Sequence, residues 1–199
     1  MIAKLAKSTA YFFVEKQVVK KEDEEVYAYG MELLYSSILN IALAVIIAII
    51  TNTVYPTAAF VITFIVIRQY IGGYHARTHL GCMSIFAVVL CCFAVLSRYI
   101  PAECEVWISM LAIVLAMFLI LRFAPVEHPN KPLSGKEKAR LRKNGIISAF
   151  TVFILVLVMS VFTSTRRYGM YISLGQLTAS TAMLCEIIKH IRMNNNHEN

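Results

Sequence analysis

The sequence predicts an all-α integral membrane protein, with about six transmembrane or membrane-embedded helices behind an N-terminal interfacial amphipathic helix. Three observations predict it. Apolar types make up 58% of the chain against 16% charged, with a mean hydropathy of +0.65, and 199 residues are too few to hide that much apolar surface from water. The apolar residues fall in runs, each approaching the ~20 residues a helix needs to cross the hydrocarbon core. The basic residues fall in blocks between those runs, which is how a multi-pass chain encodes its orientation. The length suits a single membrane domain over 1–199, with a charged amphipathic segment at 1–30 and a helical core at 31–190 that carries inner loops at 68–82 and 122–145.

The elements follow in order. In the first segment Ile2, Leu5, Phe12 and Phe13 cluster on one helical face with Lys4 and Lys7 opposite, as in a helix lying on a membrane surface. The start of the chain has no sustained apolar stretch followed by a small-residue cleavage site, so no cleaved signal peptide is expected. Lys20–Gly30 reads as a charged hinge. Apolar segments are expected near 31–51, 55–71, 82–100, 105–123, 145–164 and 169–189. The second carries Arg68 near its end, and the sixth holds Gln176, Thr178, Ser180, Thr181 and Glu186. Either suits a partial or re-entrant segment buried in protein, and Glu186 needs a partner in apolar surroundings.

With the N-terminus inside, only Arg98, Arg166 and Arg167 of the 19 lysines and arginines fall on the outer side. This bias places both termini in the cytoplasm. The net charge of +7 then points to anionic lipid or an acidic partner; no aromatic-basic interleaving suggests nucleic acid. The cysteines are Cys82, Cys91, Cys92, Cys104 and Cys185, an odd number with three inside apolar runs, which is no disulfide framework.

Two inner loops stand out. The first, Arg68 to Cys82, gathers His75, His79, Cys82 and three glycines at the water boundary. A thiolate is the nucleophile of cysteine chemistry, and a neighbouring base activates it. On a straight helix His75 and Cys82 share a face but lie about 10.5 Å apart in rise, so the pair can act only if the chain bends, which Gly72, Gly73 and Gly81 make cheap. His79, three residues before Cys82, is the nearer neighbour on an unbroken helix. Arg68 and Arg77 add anion-binding cations, so base, thiol and cation occur together as acyl transfer requires. A zinc site on His75, His79 and Cys82 is the rival, against which Arg77 stands as an unfavourable neighbour for a divalent ion. A third group orienting the histidine is Glu32, Glu127 or Glu186. The second loop, Arg122–Gly145, has Pro125, Pro129 and Pro132 close together, which forbid a regular helix and stiffen the chain. Ser134 with Glu137 three positions on reads as the capping box of a short basic helix.

The run Arg68-Gln69-Tyr70-Ile71-Gly72-Gly73-Tyr74-His75-Ala76, with Cys82 seven residues after the histidine, resembles the accessory gene regulator B family. The block Ala124-Pro125-Val126-Glu127-His128-Pro129-Asn130-Lys131-Pro132-Leu133 is similar to that family's proline-rich loop. The resemblance implies a bacterial membrane cysteine endopeptidase that processes a quorum-sensing precursor peptide. It implies Cys82 as nucleophile and His75 as general base, a thioester on Cys82, and ring closure to a thiolactone or lactone, with no cofactor and no metal. Arg68, Gly72, Gly73, Glu127, Asn130 and Lys131 are then supporting or substrate-binding positions. The implied partners are a precursor with an amphipathic N-terminal helix and an acidic C-terminal tail, membrane lipid, and a second copy in a homodimer. The basic run Lys136–Lys143 is placed to hold such a tail. The reading from another class is a non-enzymatic transporter or exporter, which the lack of an internal repeat with paired broken helices disfavours.

Overall fold

Long apolar runs have one way to satisfy their backbone without water, and this chain takes it: among the described residues the regular structure is helical, with no strand. The computed structural model describes residues 2–72, 79–126 and 134–197, apart from the side chains at 79, 80, 82, 96, 97, 190 and 192–197. Within these are α1 (Ile2–Glu15), α2 (Glu24–Ile50), α3 (Val54–Ile71), α4 (His79–Tyr99), α5 (Glu105–Phe123), α6 (Gly135–Val161) and α7 (Arg166–His197). Among the described residues four stretches are long and apolar enough to cross a membrane: Lys21–Ile50, Val54–Ile71, Ala102–Phe123 and Gly135–Val161. Met83–Val95 adds a shorter apolar helix. The second expected segment, α3, is thus long and apolar enough despite Arg68, whereas the polar α7 is not among the four.

The chain clusters into two units. The first takes in Met1–Asn52 and Ala76–Ala94. Here α1 packs on α2 through its small residues: Ala6 and Ala10, one turn apart, are fully buried, and the Thr9 and Tyr35 hydroxyls bond at 2.9 Å. Leu5 and Phe12 stay exposed. The α1–α2 connection turns on Gln17, at φ 58°, and a short 3-10 turn at Lys21–Asp23 leads straight into α2. The expected hinge over Lys20–Gly30 is therefore shorter than composition suggested. Acidic Glu24 and Glu25 occupy the first turn of α2, where the helix dipole favours them, and Gly30 lies inside the helix.

The second unit takes in Thr53–His75 and Val95–Asn199. Its helix directions follow from its contacts. Glu105 at the start of α5 pairs with Arg167 at the start of α7, at 2.8 Å. Farther along, Ile113 meets Ile172, and then Met117 and Ile120 share a core with Ala179 and Met183. Ile67 and Ile71 at the end of α3 join that same core. So α3, α5 and α7 run in one direction and α6 returns between them, with Gly145 beside Tyr70 and its far end beside Gly169. The ends of α3, α5 and α7 and the start of α6 therefore gather at one end of this unit, together with Arg68, Arg122, Arg142 and Lys189.

Small and polar residues of α7 face inward. Gly175 lies so close to α3 that a Cβ would stand 2.5 Å from the Phe60 carbonyl oxygen. Ser173, Gln176 and Ser180 are fully buried, and Ser180 donates to the Gln176 carbonyl at 2.9 Å. The hydroxyls of Ser173, Thr178 and Ser180 are satisfied within α7 itself, by the carbonyls of Met170, Leu174 and Gln176. The Gln176 amide has no hydrogen-bond partner among the described residues.

The helix expected to begin at Ser134 is there, but it is not short. Ser134 Oγ accepts from the Glu137 N–H at 3.3 Å and the Ser134 N–H donates to Glu137 Oε2 at 3.0 Å. From this cap α6 runs unbroken for 27 residues, through the change from basic to apolar at Gly145. Replacing Gly175 by Ala is expected to force α3 from α7 and to destabilise by about 1–3 kcal/mol. Thermal unfolding in detergent reads this against Gly30→Ala, where nothing lies within 4 Å of the added methyl and the midpoint should hold or rise.

Candidate functional site

Helix α3 carries the first motif to its end and stops for a backbone reason. Gly72 adopts φ 78° and ψ −168°, a conformation that side chains rarely allow, while its N–H donates to the Arg68 carbonyl at 3.1 Å. Arg68 lies over the Phe64 ring, 5.5 Å from its centroid. Close approach also demands glycine: a Cβ on Gly72 would sit 2.5 Å from the Val126 carbonyl oxygen. The Val126 N–H in turn donates to the Ile71 carbonyl at 3.0 Å. Ile71 and Val126 belong to the two separate motifs, so the structure joins these motifs by a main-chain hydrogen bond. Ala124 and Pro125 next to it are buried, and the peptide between them is cis.

Pro125 makes this junction possible. It has no N–H, so α5 cannot continue and the Leu121 carbonyl loses its ordinary partner four residues on. Arg142 of α6 supplies the donors: Nη2 to the Leu121 carbonyl at 3.2 Å and Nη1 to the Ala124 carbonyl at 3.0 Å. One helical turn along, Gly145 lets α6 close on α3, its missing Cβ standing 3.4 Å from Tyr70 and Ile71. Nearby on α7, Glu186 is 1% exposed and accepts from Lys189 Nζ at 3.2 Å, the partner its burial requires.

Of the positions named from sequence, Gly72 is brought against the proline-rich block, and Arg68 lies one turn before it on α3. Cys82 lies in the first turn of α4, three residues after His79; its backbone is described and its side chain is not. Cys82 falls in the first unit, Arg68 and Gly72 in the second. His75, Gly73, Glu127, Asn130 and Lys131 lie outside the described residues. Glu32, another candidate for orienting the histidine, is half-buried on α2. Among the described residues no three His, Cys, Asp or Glu side chains converge as a metal site would need. Sequence reasoning missed Arg142, which reads as one of several cations in a basic run. The clue was Pro125 four residues after Leu121, a carbonyl left waiting for a donor.

A chain of apolar helices, four of them long enough to cross a bilayer, that packs two sequence motifs at one helix-end junction defines a multi-pass membrane protein. The family model for accessory gene regulator B matches residues 5–188, and the chain belongs to that family. It is 26% identical over 172 residues to a putative AgrB-like protein of Clostridium perfringens strain SM101, covering 84% of this chain and 77% of the relative. Putative AgrB-like protein 2 of C. perfringens strain 13 is 25% identical, over 81% of this chain and 78% of its own length. A putative AgrB-like protein of Listeria innocua is 26% identical, over 85% and 83%. No solved structure matches. The family generally processes autoinducer peptide precursors.

Gly72→Ala combines a disfavoured φ with a carbonyl in the way, and should cost at least about 1–3 kcal/mol. Ser134→Ala removes only the α6 cap and should cost about 1 kcal/mol. Unfolding midpoints of the two variants, measured side by side, should fall in that order.

Proposed function

We propose that this protein is a membrane-embedded cysteine endopeptidase that cuts a small autoinducer precursor near its C-terminal part and enables its cyclisation. Membership of the accessory gene regulator B family carries the reading, and two structural features support it. Helix α3 ends at Gly72, whose backbone turns away from helical geometry, so α3 and α4 are separate helices on either side of His75 in the sequence. Cys82 lies in the first described turn of α4, three residues after His79.

In this reading His75 takes the Cys82 thiol proton, and the thiolate attacks the scissile carbonyl carbon. The tetrahedral intermediate collapses as the C–N bond breaks, and the departing amine receives the proton from His75. The N-terminal part remains as a thioester on Cys82. An internal cysteine or serine of the precursor then attacks that thioester carbonyl, closing a thiolactone or lactone and returning the proton to Cys82. A thioester conserves the activation of the cleaved amide, provided water is kept out. Arg68 balances a substrate carboxylate or the developing oxyanion, Gly73 lets the peptide backbone approach, and Glu127, Asn130 and Lys131 line its path. Lys136, Lys138, Arg140 and Lys143 are exposed on the first turns of α6 and attract an acidic peptide tail. The distribution of basic residues supports a cytoplasmic side of the bacterial cell membrane for the basic loops and for both termini. Exposed Leu5 and Phe12 of α1 are offered to lipid, and a second copy completes a homodimer.

The test is co-expression of a candidate precursor with wild type, Cys82→Ser, His75→Ala and His79→Ala, following product and enzyme-linked acyl species by mass. Cys82→Ser and His75→Ala should abolish cleavage and His79→Ala should not. Full cleavage by Cys82→Ser would remove the peptidase reading. Loss with His79→Ala together with sensitivity to a chelator would favour a zinc hydrolase.

A further inference from the structure

We infer that the second unit is built for a thin bilayer. Its outward apolar band, bounded by exposed aromatic residues at one end and by arginines at the other, is shorter than an ordinary hydrocarbon core, so it takes short-chain phospholipid in preference to long. The inference is independent of the peptidase reading.

The aromatic boundary lies at the end opposite the arginines, where α3, α5 and α7 start and α6 finishes. Tyr55 stands on the first turn of α3, Trp107 on the first turn of α5, Phe162 at the close of α6 and Tyr168 on the first turn of α7. Tyr99 joins them, because the next carbonyl, that of Ile100, accepts from Arg167 Nη2 at 3.5 Å. Tyr55, Tyr99 and Trp107 are 75%, 79% and 78% exposed. Tyrosine and tryptophan facing outward at one level of a membrane protein mark the headgroup layer, where an apolar ring and a polar tip are both satisfied. The cations at this level are bonded within the protein: Arg166 Nε donates to the Ser160 carbonyl at 3.0 Å, and Arg167 Nε donates to Glu105 at 2.8 Å.

The other boundary is set by charge that is held in place. Arg142 donates to the Leu121 and Ala124 carbonyls, which ties its guanidinium to the end of α5. Arg68 lies over the ring of Phe64, one turn back toward the aromatic end, so its charge is drawn inward rather than out to water. At 1.5 Å per residue, Tyr55 to Arg68 spans about 20 Å and Trp107 to Leu121 about 21 Å. The apolar portion of α6, from Gly145 to Val161, spans about 24 Å. Between the boundaries the helices turn apolar side chains outward, among them Ile62 of α3, Leu111 and Phe118 of α5 and Ile154 of α6. A typical hydrocarbon core is about 30 Å thick, and any tilt of the helices widens the shortfall. A bilayer around this unit therefore thins, and the lipid that thins least is the one with the shortest chains. The thinned bilayer brings its headgroup layer to the level of the Gly72–Val126 junction.

Trp107 is the sole tryptophan of the chain, so the wild-type protein carries its own probe. The full chain is reconstituted in phosphatidylcholine of fourteen-, eighteen- or twenty-two-carbon chains. Each is mixed with brominated phosphatidylcholine, which quenches tryptophan on contact, and relative affinity is read from the competition. The fourteen-carbon lipid should compete at least about twofold better than the eighteen-carbon lipid, and that in turn better than the twenty-two-carbon lipid. Bromines near the carbonyl end of the chains should quench more than bromines at the middle. Equal affinity at all lengths, or affinity that rises with length, would overturn the inference. Stronger quenching from the middle of the chains would overturn it too, by moving Trp107 off the boundary. So would Trp107 fluorescence that no brominated lipid quenches, since that face would then be covered by protein, such as a second copy.

Discussion

A single main-chain hydrogen bond, from the Val126 N–H to the Ile71 carbonyl, organises the end of the second unit where its charged residues gather. Each neighbouring feature is a condition for it. Pro125 ends α5 and frees the next residue from the helix ladder. Gly72 lets the Val126 carbonyl come within a distance no side chain would permit. Gly145 lets α6 lie against Tyr70 and Ile71, and Arg142 meets the carbonyls that Pro125 leaves open. Beneath the bond sits the apolar cluster of Ile67, Ile71, Met117, Ile120, Ala124, Ala149, Ala179 and Met183, which takes residues from all four helices and from the first residue after α5. A buried carbonyl left unpaired is costly, and here the Val126 N–H meets the Ile71 carbonyl at the end of α3 while Arg142 of α6 meets the two at the end of α5.

Much of the architecture was legible because apolar length is local. Helices α3 and α5 end where their apolar runs end, and Ser134 with Glu137 announced the start of α6. The continuity of α6 through Gly145 was not legible. Composition changes there from basic to apolar, but the backbone bonds of a helix are indifferent to that change, and the glycine answers to packing on α3. Gly30 shows the same thing in α2.

The site was half legible for a related reason. Side-chain chemistry marked Cys82, His75 and Arg68 because thiol, imidazole and guanidinium are rare at a membrane boundary. The two motifs could be recognised separately, yet their meeting is a backbone contact between residues more than fifty positions apart, and no residue type encodes it alone. Arg142 was hidden among equal charges. Only the geometry shows that this one, among the exposed cations of the run, donates to two backbone carbonyls.

The unbroken course of α6 has a mechanical consequence. From its cap at Ser134 to Gly145 the helix stands clear of its apolar portion by about ten residues, roughly 15 Å of rise. A rod without a joint delivers a load at one end to its other contacts undiminished. A displacement of its capped end is therefore carried along one continuous helix to the place where α6 leans on Tyr70 and Ile71, beside the break in α3.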